Sequence, residues 1–302
     1  MNRMKAQIWR AFRKRKNMTH YLQVPATGLG LKNGYRGDEW LRRRLRIFHE
    51  YVLASLTAQD ATFTLWFCWR PEEKENPIVK EFQQQLSKLQ RIKVIHTFNG
   101  ILFYDDKYPE DVAQERLKRA CEDVPDVQGE VRVTLQPSDD MYVNLKEIQD
   151  YRGDAGIIGY LKGYIMSYGT KEIAYYDPNT SPPFYTLIFK NGLKDYYERV
   201  KEIRSHEDAG LHKDFVVLER RGFVVGTHSE NISTTFNHRF KGRTLGKEES
   251  EALMVRLGVL NSRRMRFGPT WRLIARKVFN ILPFNNLIRA AYNSLPAKYK
   301  KV

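Results

Sequence analysis

At 302 residues, with 42% hydrophobic side chains and only two cysteines, Cys68 and Cys121, the chain is long enough to bury a large core, and its composition points to a globular fold without a disulfide framework or a zinc site. The formal net charge is +16, but residues 1–16 hold seven basic and no acidic side chains and residues 261–302 hold ten basic and none acidic, which leaves residues 17–260 at −1. The ends are basic and the body is neutral, so nucleic acid is not the expected partner of the fold.

The first sixteen residues lack an apolar run of signal-peptide length, and no stretch reaches the roughly 18 apolar residues of a membrane span. The expectation is a cytoplasmic chain. Residues 1–18 read as a basic segment ahead of one large domain over 19–260. Thr19 to Val24 reads as a short strand, and the GLGLKNGYRG loop after it lacks the GxGxxG of a dinucleotide site. Asp38 is a candidate N-cap for a helix to about Gln59, with Leu41, Leu45, Phe48, Val52 and Leu56 inward. Its Arg42, Arg43, Arg44 and Arg46 face solvent or, in part, a phosphate. Phe63 to Trp69 is a buried strand, Pro77 opens a helix through Arg91, Ile92 to Phe98 is a strand and Glu110 to Cys121 a helix. In VRVTLQPSDDMY, residues 131–142, Val131, Val133 and Leu135 alternate with polar residues as in a half-buried strand. Pro137 ends that strand, and Asp139 and Asp140 follow it. Strands alternating with helices at this spacing argue for a parallel sheet in the first half, about 19–142.

After Asp140 the rhythm changes. A helix near Val143 to Tyr151 precedes strands over Gly156 to Tyr168, Lys171 to Tyr176 and Phe184 to Phe189. A helix from Leu193 to His206 and a hairpin over Phe215 to Val225 complete the second half, about 143–260, which reads as an antiparallel extension. In the tail, 261–302, Trp271, Ile274, Ala275, Val278 and Leu282 share one helical face, and Phe284, Leu287, Ile288, Ala291 and Leu295 repeat the pattern. Basic amphipathic helices of this kind lie on anionic membranes, pack on their own domain, or join copies of a chain.

Four stretches together resemble the rhamnosyltransferase-like family of glycosyltransferases. They are WLRRRLRIFHEYVLASLTAQ, SDDMY at 138–142, SPPFYTLIF at 181–189, and SHED at 205–208 with GTHSENISTTFNHRFKG at 226–242. The resemblance implies a Rossmann-like α/β fold of the GT-A type, whose parallel sheet delivers a D-x-D metal motif. It also implies a nucleotide-sugar donor, a glycan or lipid-linked acceptor, and a role in surface polysaccharide synthesis at the cytosolic membrane face. The family pattern usually reads D-x-D-D. Pro137 stands where its first Asp would be, which leaves a weakly metal-dependent enzyme open.

Glycosyl transfer needs a neutralised diphosphate, a placed acceptor hydroxyl and a base. Asp139 and Asp140 are candidates to hold Mn²⁺ or Mg²⁺, and His228, in the loop after a later predicted strand, is a candidate to add an imidazole ligand or to donate to a phosphate oxygen. Glu207 and Asp208, expected at the end of the helix through His206, are candidates for the base of an inverting transfer. Ser138, Asn231, Ser233, Thr234, Lys241 and Arg243 are candidates for donor or phosphate contacts. Tyr185 and His206 are expected on the acceptor side, and Tyr175, Tyr176 and Phe184 either stack on sugar or pack in the core. A metal-dependent nucleotidyl- or phosphotransferase using the same carboxylates, and a non-catalytic basic module on membrane or nucleic acid, are the alternative classes.

Overall fold

A computed structural model of the chain describes residues 18–27, 37–98, 110–203, 205–228 and 234–260. The basic segment 1–16, Asn231, Ser233 and the expected amphipathic helices of 261–302 lie outside the described residues. The chain divides into Met1–Val259 and Leu260–Val302, and every element below belongs to the first unit.

Strand β1 (Met18–Val24) is followed by helix α1 (Asp38–Ile47), a π turn (Phe48–Val52) and helix α2 (Leu53–Thr57). Gly37, at φ +95°, is the N-cap of α1, and Asp38 falls one position later, in the first turn, where a carboxylate favours the helix dipole. Leu41, Leu45, Phe48, Val52 and Leu56 are all buried along this rod. Next come β2 (Thr64–Cys68), α3 (Pro77–Leu86), β3 (Lys93–Thr97), α4 (Glu110–Lys118), β4 (Glu130–Leu135), β5 (Met141–Tyr142) and α5 (Leu145–Asp150). Asn76 caps α3 by accepting the Ile78 amide (2.9 Å), with Pro77 in its first turn. The second half runs β6 (Ile157–Tyr160), β7 (Gly163–Ser167), β8 (Ile173–Tyr176), β9 (Tyr185–Phe189), α6 (Tyr196–Val200), α7 (His206–Leu211), β10 (Phe215–Leu218), β11 (Phe223–Thr227), β12 (Lys241–Thr244) and α8 (Lys247–Arg256).

Among the described residues the strands form two mixed sheets. The larger has the order β10-β6-β9-β4-β1-β2-β3 and the smaller β12-β8-β7-β11-β5. In the larger sheet β3, β2, β1 and β4 are parallel, and β9 runs antiparallel between β4 and β6. This is an α/β architecture compatible with a Rossmann-like fold. One core lies between the larger sheet, the α1–α2 rod and the smaller sheet, and includes Leu22, Phe48, Phe67, Tyr142, Phe184 and Phe223. A second covers the opposite face with Tyr21, Trp66, Val133, Tyr185 and Tyr196.

Four further expectations are corrected. β4 is not half-buried: Arg132 is 3% and Thr134 0% exposed, because both faces of a largely parallel sheet are covered. Their polarity is satisfied internally. Arg132 donates to Tyr151 O (2.9 Å), and Thr134 Oγ1 bridges His20 Nε2 (2.7 Å) and Thr186 Oγ1 (2.6 Å). Gly156 to Tyr168 is not one strand, and Phe215 to Val225 is not a hairpin. β6 and β10 pair parallel in the larger sheet while β7 and β11 pair parallel in the smaller one, so two neighbouring segments cross between sheets side by side. The crossing turn packs Gly222 against the Tyr160 ring, where no side chain would fit. The helix expected over Leu193 to His206 is two short helices, because Ser205 caps a new one by accepting the Asp208 amide (3.1 Å). Among the described residues no helix is long and apolar enough to cross a membrane.

Candidate functional site

β4 ends where the chain runs into Pro137, which has no amide proton for a ladder. Its last rung is the Gln136 amide donating to Gln23 O of β1 (2.8 Å). The Gln136 side chain then shapes the turn, with Nε2 donating to Pro137 O and to Asp140 O, each at 2.8 Å. One buried amide thereby clamps residues 137–140. Asp139 and Asp140 emerge at the carboxyl edge of the parallel strands, where open α/β sheets bind ligands.

The far side of the turn is set by the smaller sheet. β5 pairs antiparallel with β11, Met141 opposite Val224, and continuing that register puts Asp140 and Asp139 opposite Val225 and Gly226. Asp140 Oδ1 accepts the Gly226 amide (2.8 Å). His228, just past β11, donates Nε2 to Asp139 Oδ2 (3.3 Å), and the Tyr168 hydroxyl donates to Asp139 O. The Tyr168 ring lies parallel to the His228 imidazole (6.4 Å between centroids) and stacks on Tyr51 of the π turn (4.1 Å). Lys171, at φ +63°, places its ammonium over the Tyr51 ring (4.7 Å) and hydrogen-bonds the Tyr51 hydroxyl.

Both aspartates are withdrawn from water: Asp140 is 7% exposed, and the Asp139 side chain 15%. Burial pushes Asp140 up, the adjacent Asp139 charge pushes it further, and the Gly226 amide and Arg44 offset only part, so its carboxyl sits well above the usual range. Burial also acts to raise Asp139, but the His228 hydrogen bond, the Arg44 charge and the His228 charge outweigh it and hold Asp139 below the usual range. The pair therefore favours one proton or one added positive charge.

A divalent ion fits this donor set in one way. Among the described residues no group of three or more His, Cys, Asp and Glu side chains could hold a metal ion as a closed shell. One or two carboxylates, completed by water and substrate phosphates, is a usual shell for Mg²⁺, and an ion there relieves the Asp139–Asp140 repulsion. His228 is placed as the partner of Asp139; to ligate through Nε2 it has to release that hydrogen bond.

The other expected residues fall in three places. Ser138 is 2% exposed, in the turn itself, with its Oγ buried and unpartnered. His206, Glu207 and Asp208 lie in the first turn of α7 and not at a helix end, which is the favourable side of the dipole for acids. Thr180 Oγ1 donates to Glu207 Oε1 (3.5 Å), and His206 Nδ1 donates to Pro182 O (3.0 Å). Residues 180–184 lead into β9, whose Thr186 pairs with Thr134 one residue before the end of β4, so the segment that Glu207 and His206 touch enters β9 from the sheet edge where the aspartates emerge. Burial lowers the His206 pKa against its bond to Pro182, which keeps the imidazole neutral. Tyr185 is 4% exposed and edge-on to His206 (6.1 Å), so its ring is a wall and not a platform for sugar; Tyr176 and Phe184 are core. Lys241 is not brought to the aspartates. It lies on β12, separated from β11 by β8 and β7, with its ammonium over Phe236 (4.1 Å) and on Asn237 Oδ1 (3.3 Å). Arg243, also on β12, pairs with Glu249 in the first turn of α8 (2.9 Å).

Gly226, Tyr168, Tyr51 and Lys171 were absent from the sequence expectations, and no spacing marks them, because they converge only through the crossing of segments between the sheets. No protein-family model matches the chain, and no curated protein matches it.

Proposed function

We propose that the chain is an inverting glycosyltransferase of the GT-A type that passes a sugar, rhamnose by the family resemblance, from a nucleotide donor to a glycan or lipid-linked acceptor. The observation that carries this reading is the buried Asp139–Asp140 pair at the carboxyl edge of the parallel strands, braced by Gly226 and His228. Asp139 and Asp140 hold a divalent ion, which when bound neutralises the departing diphosphate. Glu207, which touches the segment entering β9 from that edge, takes the proton of the acceptor hydroxyl as its oxygen bonds to the anomeric carbon and the carbon–diphosphate bond breaks. The cluster of Thr27, Arg70 and Glu73 follows β1 and β2 at the same edge. It leaves Glu73 Oε1 buried without a hydrogen-bond partner, an acceptor suited to the N–H groups of the donor's base. The basic tail 261–302 docks on anionic membrane beside a lipid-linked acceptor.

The test is a screen of nucleotide sugars for hydrolysis and for a rise in melting temperature, with and without Mn²⁺. The expected result is one nucleotide series that stabilises the protein, an effect lost in Asp140→Ala. No response to any nucleotide sugar under either condition overturns the reading. Deletion of 261–302 should release the protein from anionic vesicles while sparing turnover on a soluble acceptor.

A further inference from the structure

Among the described residues the large apolar side chains left exposed are Leu211 (64%), Val216 and Val217 (40% each), all within one short stretch. Leu211 ends α7, and the two valines lie on β10, an edge strand of the larger sheet. Adjacent residues of a strand point to opposite faces, so β10 is open to water on both. It pairs parallel with β6. Asp214 O accepts the Ile157 amide (3.3 Å), so in this register Asp214, Val216 and Leu218 turn their main-chain groups to β6, while Phe215 and Val217 turn theirs away. The Phe215 amide is drawn back to His212 O (2.9 Å). Val217 is therefore the residue of β10 whose N–H and C=O both aim out from the sheet edge. Edge strands are commonly blunted by a lysine, a proline or a bulge. Phe215–Leu218 holds neither lysine nor proline, and its register with β6 is unbroken.

The strand that fits this edge is β10 itself. Set antiparallel across a two-fold axis through Val217, each Val217 amide donates to the other's carbonyl, Val216 meets the partner's Leu218, and Asp214 meets the partner's Arg220. Asp214 and Arg220 are both exposed. Moving the axis by one residue breaks the match: at Val216 it sets Asp214 against the partner's Leu218, and at Leu218 against the partner's Gly222. We propose that β10 is the interface of a two-fold symmetric dimer, in which two larger sheets join edge to edge at Val217 with an Asp214–Arg220 ion pair on each side of the axis. The dimer does not depend on the glycosyltransferase reading.

Sedimentation velocity on the full chain over roughly 1–300 µM tests it, because so short an edge makes a small, reversible interface. The wild type should pass from monomer to dimer within that range. Val217→Lys should raise the dissociation constant at least about tenfold, since it buries a charge on each side of the axis. Asp214→Arg and Arg220→Asp each set like charges opposite one another and should raise it roughly three- to thirtyfold. The double reversal should bring it back to within about threefold of wild type, a recovery that a contact elsewhere on the surface cannot produce. If Val217→Lys does not melt cooperatively, the two exposed charge positions decide alone. A wild type that stays monomeric throughout, a dimer that Val217→Lys leaves intact, or charge reversals that have no effect or are not rescued in combination each overturn the proposal.

Discussion

The amide of Gly226 donates to Asp140 Oδ1 at 2.8 Å, and a side chain at Gly226 would collide with Asp139 O and the Tyr168 hydroxyl. The two facts have one origin. β11 approaches the acidic turn as closely as a paired strand does, so main chain stands where a side chain would normally separate them. The strand therefore sets where Asp140 points, and the absence of a Cβ lets the Tyr168 hydroxyl reach the Asp139 carbonyl.

Gly226→Ala should accordingly strike stability and the site together. Overpacking at a rigid contact costs about 1–3 kcal/mol, and the displaced Tyr168 hydroxyl loses a further hydrogen bond of about 1 kcal/mol. Gly169→Ala is the control, since the nearest atom to its added carbon is Ser167 Oγ at 3.8 Å. Urea unfolding of both variants checks the difference, and an unaltered Gly226→Ala protein would show that the turn and β11 are not held together as described.

Asp139 and Asp140 should respond to substitution with opposite signs in the absence of divalent ions. Asp139 has a folded pKa below the unfolded value of about 3.9. Its contribution is present above that pH and lost as pH falls through the folded value. Asp140 has a folded pKa above 3.9, so it favours the fold only while protonated and weighs against it as pH rises through its folded value. At neutral pH Asp140→Asn should be more stable than wild type, by about 1–3 kcal/mol, and the gap should close near pH 4. Asp139→Asn should be less stable than wild type at neutral pH. Melting curves from pH 4 to 8 decide, and an Asp140→Asn protein weaker than wild type at every pH contradicts the repulsion.

Acid sensitivity should come in part from His20. It is 2% exposed between Gln149 and Thr134, and burial, followed by the Arg132 charge, lowers its pKa to about 3. The unfolded chain takes up a proton below about pH 6.5 that the folded chain refuses, so stability falls by about 1.4 kcal/mol per pH unit between there and pH 3. Above pH 6.5 the effect is absent. His96, lowered to about 4 by burial, adds a second proton over part of that window. His20→Gln should remove about one proton from the slope of unfolding free energy between pH 6 and 4, at some loss of stability at pH 7. An unchanged slope would mean that His20 accepts its proton in the folded state.

What could be read in advance follows from the range of the interactions concerned. The α1–α2 rod showed in the spacing of Leu41, Leu45, Phe48, Val52 and Leu56, since helix period is local, and Pro137 marked the end of β4 because a missing amide is a property of one residue. The burial of Arg132 and Thr134 did not show, because apart from Glu130, the ion-pair partner of Arg132, the groups that satisfy them belong to Ile148, Tyr151, His20 and Thr186, more than a dozen residues away in sequence. The split of the helix near 205 was legible in principle. Ser205 with Asp208 three residues on is a capping pattern, set inside a continuously polar segment. The sheet crossings at Gly163 and Gly222 depend on packing against Phe223 and Tyr160, which only the assembled fold provides.

Glu207 separates the proposed chemistry from the scaffold most cleanly. It is exposed, and its hydrogen bond from Thr180 is long at 3.5 Å, so Glu207→Gln should shift unfolding free energy by no more than about 0.5 kcal/mol. If it takes the acceptor proton, kcat should drop by roughly 10²- to 10⁴-fold, with donor affinity retained. Asp208→Asn should keep most of the turnover, because Asp208 sits a residue further along α7, near enough to Tyr185 to raise its phenol pKa alongside burial. Equal turnover in Glu207→Gln and wild type, or a larger loss in Asp208→Asn, moves the base off Glu207. In an inverting transfer only a carboxylate that meets the incoming hydroxyl on the face away from the diphosphate can act, so the remaining position to test is then Asp208.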